Sequence, residues 1–422
     1  MIPKKYLEWK GAKLKKFLSI MLTIIVTVSL MAGLLVGCTK TTSSNTSGTL
    51  KQGTITIGLV SPQTGGAAPW GIAMVHGLSL AFEDANNAGG VDIGDTHYTF
   101  TLKSLDDKYD TAVATNALNE LVYSDNIKFL FSMQSEGTLA MAPIMAQQKV
   151  LNFVEVYDDS VIDPANSYTF RTVIPPSMKT DSYTKWLIKQ YPDMKTEAHF
   201  STNNTNGQII TQQDDTSAKA NGLKVLDEVY YDDGTLDFTP FLTKLLTKNP
   251  DALFLGGCPT GDCALIIKQA RGLGFKGVIS NIAPTSAGDM MAIAGKDALE
   301  GFVSTMMAMQ PPLVSQNVIN LANRETTKWG TPYGSTWDFY SQALVVTEAI
   351  QKAKSLDPTV VKGVLEDSTK VWPYDTLTGG KATFGTSVTK TLYKVPSHQI
   401  VNPYTISIVK NGQDTNAAVV NP

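Results

Sequence analysis

The sequence predicts an α/β protein whose parallel sheets form two lobes. Short β-branched runs alternate with segments of helical apolar spacing along most of the chain. That is the rhythm of βα units, which bury a parallel sheet under helices on both faces. Nine or ten strand-like runs are present, more than one sheet holds comfortably, so they divide between two lobes. A length of 422 residues with 43% hydrophobic side chains is ample for two cores.

The elements follow in order. Thr54–Val60 reads as a strand ending in a Ser-Pro-Gln-Thr-Gly-Gly loop. Gly71–Ala88 reads as a helix, with Val75, Leu78 and Phe82 at helical spacing, and Asn86-Asn87-Ala88-Gly89-Gly90 stops it. Strand Tyr98–Leu105, helix Thr111–Tyr123, strand Ile127–Phe131, helix Thr138–Gln148 and strand Val150–Val154 complete the first set. The second set runs through strand Thr196–Ser201, helix Gly207–Asn221, strand Lys224–Tyr230, helix Phe238–Thr247 and strand Asp251–Leu255. A helix ending at Arg271 and strand Lys276–Ser280 close it. Helices Val314–Trp329, Thr336–Ala353 and Pro358–Asp367 precede a turn-rich stretch, Thr376–Val409, with two strand-like runs. Parallel sheets place ligands at the carboxyl ends of their strands. The informative loops are therefore Ser61–Trp70, Ser132–Gly137, Glu155–Pro164, Thr202–Asn206, Gly256–Asp262 and Asn281–Ser286, although surface loops share their small polar composition.

The first residues set the compartment. Residues 1–16 hold six lysines and one acid, Glu8, and Phe17–Val36 is a 20-residue run without charge. A basic start, an apolar segment and small residues before a cut compose an export signal over residues 1–37; an uncleaved membrane anchor is the alternative. Leu35-Val36-Gly37-Cys38 resembles a bacterial lipobox, in which the cysteine receives lipid. Thr39–Ser47, with four Thr and three Ser, cannot bury surface and reads as a flexible tether within residues 38–52. Cleavage before Cys38 would leave 385 residues and change the net charge from -3 to -8. An acidic body suits neither nucleic acid nor an anionic membrane surface.

Enzyme signatures are absent from the sequence. The 4 histidines (His76, His97, His199 and His398) show no metal-ligand spacing. There is no His-Glu-x-x-His, no Gly-x-Ser-x-Gly elbow and no Walker loop, and Gly58 to Gly66 is not a dinucleotide turn. The expectation is no catalytic residue, no metal and no cofactor. Asp106-Asp107 and Asp232-Asp233 read as strand-end or turn residues. For Cys258 and Cys263, a disulfide and two unpaired thiols both stay open, because spacing does not fix geometry.

Several motifs together carry a resemblance. They are Gly58-Leu-Val-Ser-Pro-Gln-Thr-Gly65, then Gly71, and Gly77-x-x-Leu-Ala81-Phe with Ala85-Asn86 and Gly89-Gly90. Asp106-Asp107 with Ala112–Leu121, Pro143-Ile144, Tyr168-x-Phe170-Arg171-Thr172, Phe238 through Asn249-Pro250-Asp251, Gln269-Ala270-Arg271 with Gly274, and Glu300-Gly301 continue the set. In order and spacing it resembles the branched-chain amino-acid type solute-binding proteins of ABC importers, over roughly residues 53–410. The resemblance implies a type I periplasmic binding protein fold, two lobes joined by three hinge crossovers. These fall near Thr172–Pro176, Thr305–Pro311 and Val371–Thr376, with Pro175-Pro176 and Pro311-Pro312 stiffening two of them. Lobe 1 would be 53–172 plus 310–371, and lobe 2 would be 173–305 plus 375–422.

The resemblance also implies ligand positions: Trp70 in the first loop; Met133, Gln134 and Ser135; Glu155, Val156 and Tyr157; Asn206 ahead of Gly207; and Cys258 or Pro259. The family's ammonium-binding acid belongs near Asn281–Pro284, where this sequence has none, and Glu155 is the candidate substitute. Trp70, Met133, Gln134, Tyr157 and Asn206 suit a neutral polar, amide-like or aromatic solute. The implied protein is a monomeric receptor, lipid-anchored through Cys38 at the outer face of the cytoplasmic membrane. It takes up an amino acid, amide or aromatic acid and hands it to an ABC permease and its ATPase without performing chemistry. A sensing receptor of the same fold is the alternative, and an α/β enzyme a more distant third.

Overall fold

The computed structural model describes residues 50–308, 315–373, 381–385 and 387–422. The export signal, Cys38, most of the tether and Pro311-Pro312 lie outside these residues. The first half of the chain lays down β1 (Lys51–Ser61), α1 (Ala68–Asn87), β2 (Val91–Ile93), β3 (Thr96–Asp106), α2 (Thr111–Asn119), β4 (Phe129–Ser132), α3 (Ser135–Gln148), β5 (Leu151–Val154) and β6 (Thr169–Arg171). They form a six-stranded sheet in the order β2-β3-β1-β4-β5-β6, parallel except for β2. Strand alternation feeds a core on each face: Ile55, Ile57, Leu59, Phe129 and Phe131 enter one, Val60 and Leu130 the other. The end of α1 follows from its sequence. Gly89 and Gly90 take φ of 102° and 58°, and their amides donate to the Asn86 and Ala85 carbonyls. The Asn86 carboxamide then clamps β3 through hydrogen bonds of 2.7 and 2.8 Å with the Phe100 backbone.

The chain crosses at Thr172–Pro175 into a second lobe: α4 (Pro176–Gln190), β7 (Thr196–Thr202), α5 (Thr205–Ala220), β8 (Lys224–Tyr231), α6 (Thr239–Leu246), β9 (Ala252–Phe254), α7 (Thr260–Gly272), β10 (Val278–Asn281), α8 (Ala287–Ala294), α9 (Lys296–Leu299) and β11 (Val303–Ser304). It returns after Ala308 to place α10 (Gln316–Trp329), α11 (Thr336–Ala353) and α12 (Pro358–Leu365) with the first lobe, where Phe339, Val346, Ile350, Val361 and Leu365 fill its core. A small sheet follows, β12 (Trp372–Pro373), β13 (Lys381–Phe384) and β14 (Ile400–Val401), with α13 (Ser387–Leu392) between its last two strands. The closing hairpin, β15 (Tyr404–Lys410) and β16 (Gln413–Val420), completes the second sheet, β16-β15-β11-β10-β9-β7-β8.

Three features differ from the sequence reading. Helix α4 was not expected: beside Met178, Tyr183 and Leu187 its buried face carries Lys179, Thr180 and Thr184, which dilute the apolar stripe. The helix expected over Thr111–Tyr123 stops being α-helical at Asn119 and ends in a π turn over Glu120–Ser124. The third passage between lobes does not fall at Val371–Thr376, whose last three residues lie outside the described chain. Trp372, Ala382, Phe384 and Ile400 pack in the first lobe's core, and Arg171 of β6 bridges to Gln399. The passage is therefore Asn402-Pro403, and residues 381–385 and 387–401 sit with lobe 1 rather than lobe 2. The turn-rich composition hid this, because Phe384 and His398 dock on Phe170 through ring contacts that no periodicity announces.

Candidate functional site

The strand ends of the two sheets face each other across a cleft. From the first lobe come Trp70 at the start of α1, Tyr109 after β3, Met133 after β4, and Glu155 and Tyr157 after β5. Ser335, Asp338 and Phe339 join them at the start of α11. Asn206 at the start of α5 and Pro284 after β10 come from the second lobe. Together they line a narrow cavity of about 40 Å³. A neighbouring space of about 60 Å³ shares Pro284, Ser335 and Asp338 and runs toward the crossovers past Lys179, Met306, Met307 and Trp337.

Local chemistry builds each wall. Gly71 lets the Pro62 carbonyl approach so closely that a Cβ would sit 1.7 Å from its oxygen, which seats Trp70 at the cleft. Asp106 and Asp107 shape the Tyr109 loop. Asp106 accepts from the Gln63 and Lys108 amides, Asp107 accepts from the Tyr109 amide, and Lys108 and Tyr109 take positive φ of 53° and 60°. The acid pair is thus a loop brace, as its place at a strand end suggests. Asn204 caps α5 by accepting from the Gly207 amide at 3.0 Å, which sets Asn206 in the wall.

Hydrogen bonds join the lobes over the cleft. Trp70 Nε1 donates to the Pro284 carbonyl at 3.3 Å, and the Gly261 amide donates to the Gly66 carbonyl at 3.3 Å. The Thr205 amide donates to Glu136 Oε1 at 2.9 Å, and Ser135 Oγ donates to Asn206 Oδ1. Asn206 Nδ2 also donates to the Tyr109 hydroxyl at 3.3 Å.

Charge is concentrated on one wall. Burial holds the Glu155 carboxyl well above the usual carboxylate range, and the neighbouring Asp338 charge adds to that. Gln342 Nε2 opposes it by donating to Glu155 Oε2 at 2.8 Å, and reaches Asp338 Oδ2 at 3.4 Å. Buried Lys179 is pushed down to about 8 by desolvation, against the pull of Glu155 and Asp338. Its ammonium lies 5.5 Å from the centre of the Tyr157 ring. Arg171, fully buried in β6, is spent structurally: it pairs with Asp159 at 2.7 Å, donates to the Asp158 carbonyl at 3.2 Å and donates to Gln399 Oε1.

Of the residues expected at the site, Trp70, Met133, Glu155, Tyr157 and Asn206 meet in the cleft. Gln134 and Ser135 stand behind the wall, Gln134 Nε2 holding the Tyr109 carbonyl at 2.8 Å. Val156 points into the core. Pro259 and Cys258 do not line the cavity. Both Cys258 and Cys263 are free buried thiols, Cys258 Sγ directed to the Phe200 carbonyl and Cys263 Sγ to the Cys258 carbonyl, so the disulfide does not form here. Tyr109, Ser335, Asp338 and Lys179 were not expected, and Pro284 was expected only as part of the Asn281–Ser286 loop. Asp338 adds an acid to the wall from the first lobe, whereas the stretch Asn281–Pro284 of the second lobe has none.

Residues 54–413 match the periplasmic binding protein family. The chain belongs to that family. It is a solute-binding protein of the Leu/Ile/Val-binding-like class of ABC importers, with the type I fold and a binding rather than catalytic function. It is 26% identical to the leucine-, isoleucine-, valine-, threonine- and alanine-binding protein of Pseudomonas aeruginosa over 77% of this chain and 84% of that one. A branched-chain amino-acid transporter protein from Thermus thermophilus with bound valine superposes at a TM-score of 0.73, with 19% identity, covering 88% of this chain and 98% of that one. A solute-binding protein from R. palustris in complex with benzoate superposes at 0.72, with 14% identity, covering 87% and 97%. Membership places this binding protein outside the cytoplasm, on the side from which an importer draws its solute. Among the described residues, no helix is long and apolar enough to cross a membrane.

Proposed function

We propose that the chain captures a small solute carrying an ammonium group on an apolar or aromatic body, an amino acid above all, between its two lobes. It then delivers that solute to its permease. The convergence of Glu155 and Asp338 on an aromatic-walled cleft carries the reading. Two carboxyls held close in a buried wall repel each other, and a cationic ligand group is what relieves them. Trp70, Tyr109 and Tyr157 offer faces to the body of the solute, and Lys179 offers positive charge to a ligand carboxylate. The amino-acid binders among similar proteins support the same class.

Lys179 and the aromatic walls also favour a second reading, an aromatic acid without an ammonium, and a benzoate complex of the same fold supports it. A thermal-shift panel of amino acids, amides, polyols and aromatic acids on the full chain, followed by calorimetry of the hits, separates the two. Glu155→Gln should weaken an ammonium-bearing hit by about 100-fold, the scale of a lost buried charge partner. Hits confined to aromatic acids, indifferent to Glu155→Gln, would favour the second reading. The lipobox-like Leu35-Val36-Gly37-Cys38 and the Thr/Ser tether after it support anchorage through a lipidated Cys38 at the membrane face. Labelled fatty acid should enter the wild type and not Cys38→Ala.

A further inference from the structure

Strand β7 and helix α5 bring Glu197, His199 and Asp214 together inside the second lobe, away from the cleft. Glu197 and His199 are two residues apart on one strand and so share a face, and α5 lays Asp214 over them. None of the three side chains is more than 5% exposed. His199 Nε2 lies 3.2 Å from Glu197 Oε1 and 3.1 Å from Asp214 Oδ2. A single imidazole N–H does not serve two carboxylates well. Here the well-directed hydrogen bond goes to Glu197, and buried Asp214 Oδ2, though only 3.1 Å from the same nitrogen, is left without a well-directed one among the described residues.

The separations fit a different occupant. With metal bonds of about 2.0–2.1 Å, neighbouring ligands of a tetrahedral ion stand roughly 3.3 Å apart, close to both nitrogen–oxygen distances. The charge fits as well. An imidazolium between two carboxylates leaves one negative charge buried, whereas a divalent ion bound by neutral imidazole and two carboxylates leaves none. We propose that Glu197, His199 and Asp214 form a structural site for a first-row divalent cation of the Zn²⁺ class. The imidazole ligand disfavours Mg²⁺ and Ca²⁺, and the two hard carboxylates disfavour Cu(I). The remaining position falls to a second carboxylate oxygen or to water. The ion stitches α5 to β7 and so steadies the helix whose first turn carries Asn206. Spacing along the sequence conceals the site, because its third ligand stands 15 residues past His199 in the next element.

The test is the metal content of the full chain after chelator stripping, incubation with Zn²⁺, Mn²⁺ or Co²⁺, and removal of excess ion. The expected result is one retained equivalent and a Co²⁺ visible spectrum of nitrogen and oxygen ligation. His199→Gln and Asp214→Asn, checked for folding by circular dichroism, should each lower metal affinity by about tenfold or more. No retained metal in the wild type overturns the site. So does undiminished binding in both folded variants, or a cobalt–thiolate band that points to the cysteines instead. If either variant fails to fold, the wild-type stoichiometry and Co²⁺ spectrum still decide.

Discussion

Trp70 presses its indole into the cleft while its N–H reaches the Pro284 carbonyl of the opposite lobe. Truncation therefore removes both a ligand-facing surface and a contact between lobes. Trp70→Ala should weaken solute affinity by about 10- to 100-fold by calorimetry, and should also lower the denaturation midpoint of the free chain, because the indole packs against the first lobe's core. A second prediction concerns pH. Burial pushes the Asp289 carboxyl up to about 7, with the Asp414 charge adding, and burial pushes Asp414 up to about 6. Both folded values exceed the unfolded ones, so the folded chain holds protons more tightly. Their stabilising contribution is full below about pH 4 and is lost as pH rises through 6 to 7. Urea unfolding across this range should show that decline, and Asp289→Asn should flatten its upper part; an unchanged slope would contradict the assignment. At this scale the family resemblance is what points to Trp70, Met133, Glu155, Tyr157 and Asn206, and each stands in the cleft after a strand. It conceals Asp338 and Lys179, which lie inside helices where periodicity distinguishes buried from exposed but does not say that a buried charge faces a cleft.

Helices α1 and α11 meet at Gly77, where a Cβ would stand 2.5 Å from the Thr336 carbonyl oxygen and 2.7 Å from the Tyr340 nitrogen. Those are backbone atoms, which cannot rotate away. Gly77→Val should force the helices apart and cost about 1–3 kcal/mol in equilibrium unfolding, while a ring or hydroxyl neighbour would have yielded more cheaply. Helix α11 also brings Asp338 and Phe339 to the cleft, and its Gln342 holds Glu155, so the same variant should weaken solute binding. The bounds expected for α11, Thr336–Ala353, are those observed, since a long apolar stripe marks it from end to end. The small sheet β12-β13-β14 shows the opposite case. Its strands are two to four residues long, too short for a period-two pattern, and their partners are distant in sequence.

Across the whole molecule, the lobes touch through the Glu136 carboxylate and the Thr205 amide at the N-terminus of α5. A carboxylate at a helix N-terminus is favoured by the helix dipole. Glu136→Ala should therefore cost about three- to tenfold in solute affinity through faster release, read by stopped flow, with little effect on folding. Two lobes were legible from the number of strands, and the passages between them came with the family resemblance. The position of the last passage was not legible, because docking of Phe384 and His398 on Phe170, rather than any local signal, holds this stretch to the first lobe. Hydrogen exchange of the full chain with and without its solute addresses the whole account most directly. Capture between two closing lobes predicts added protection on both sides of the cleft at once, around residues 133–137 and 335–339 on one and 205–208 and 282–285 on the other. Protection confined to a single lobe, or falling away from these segments, would contradict it.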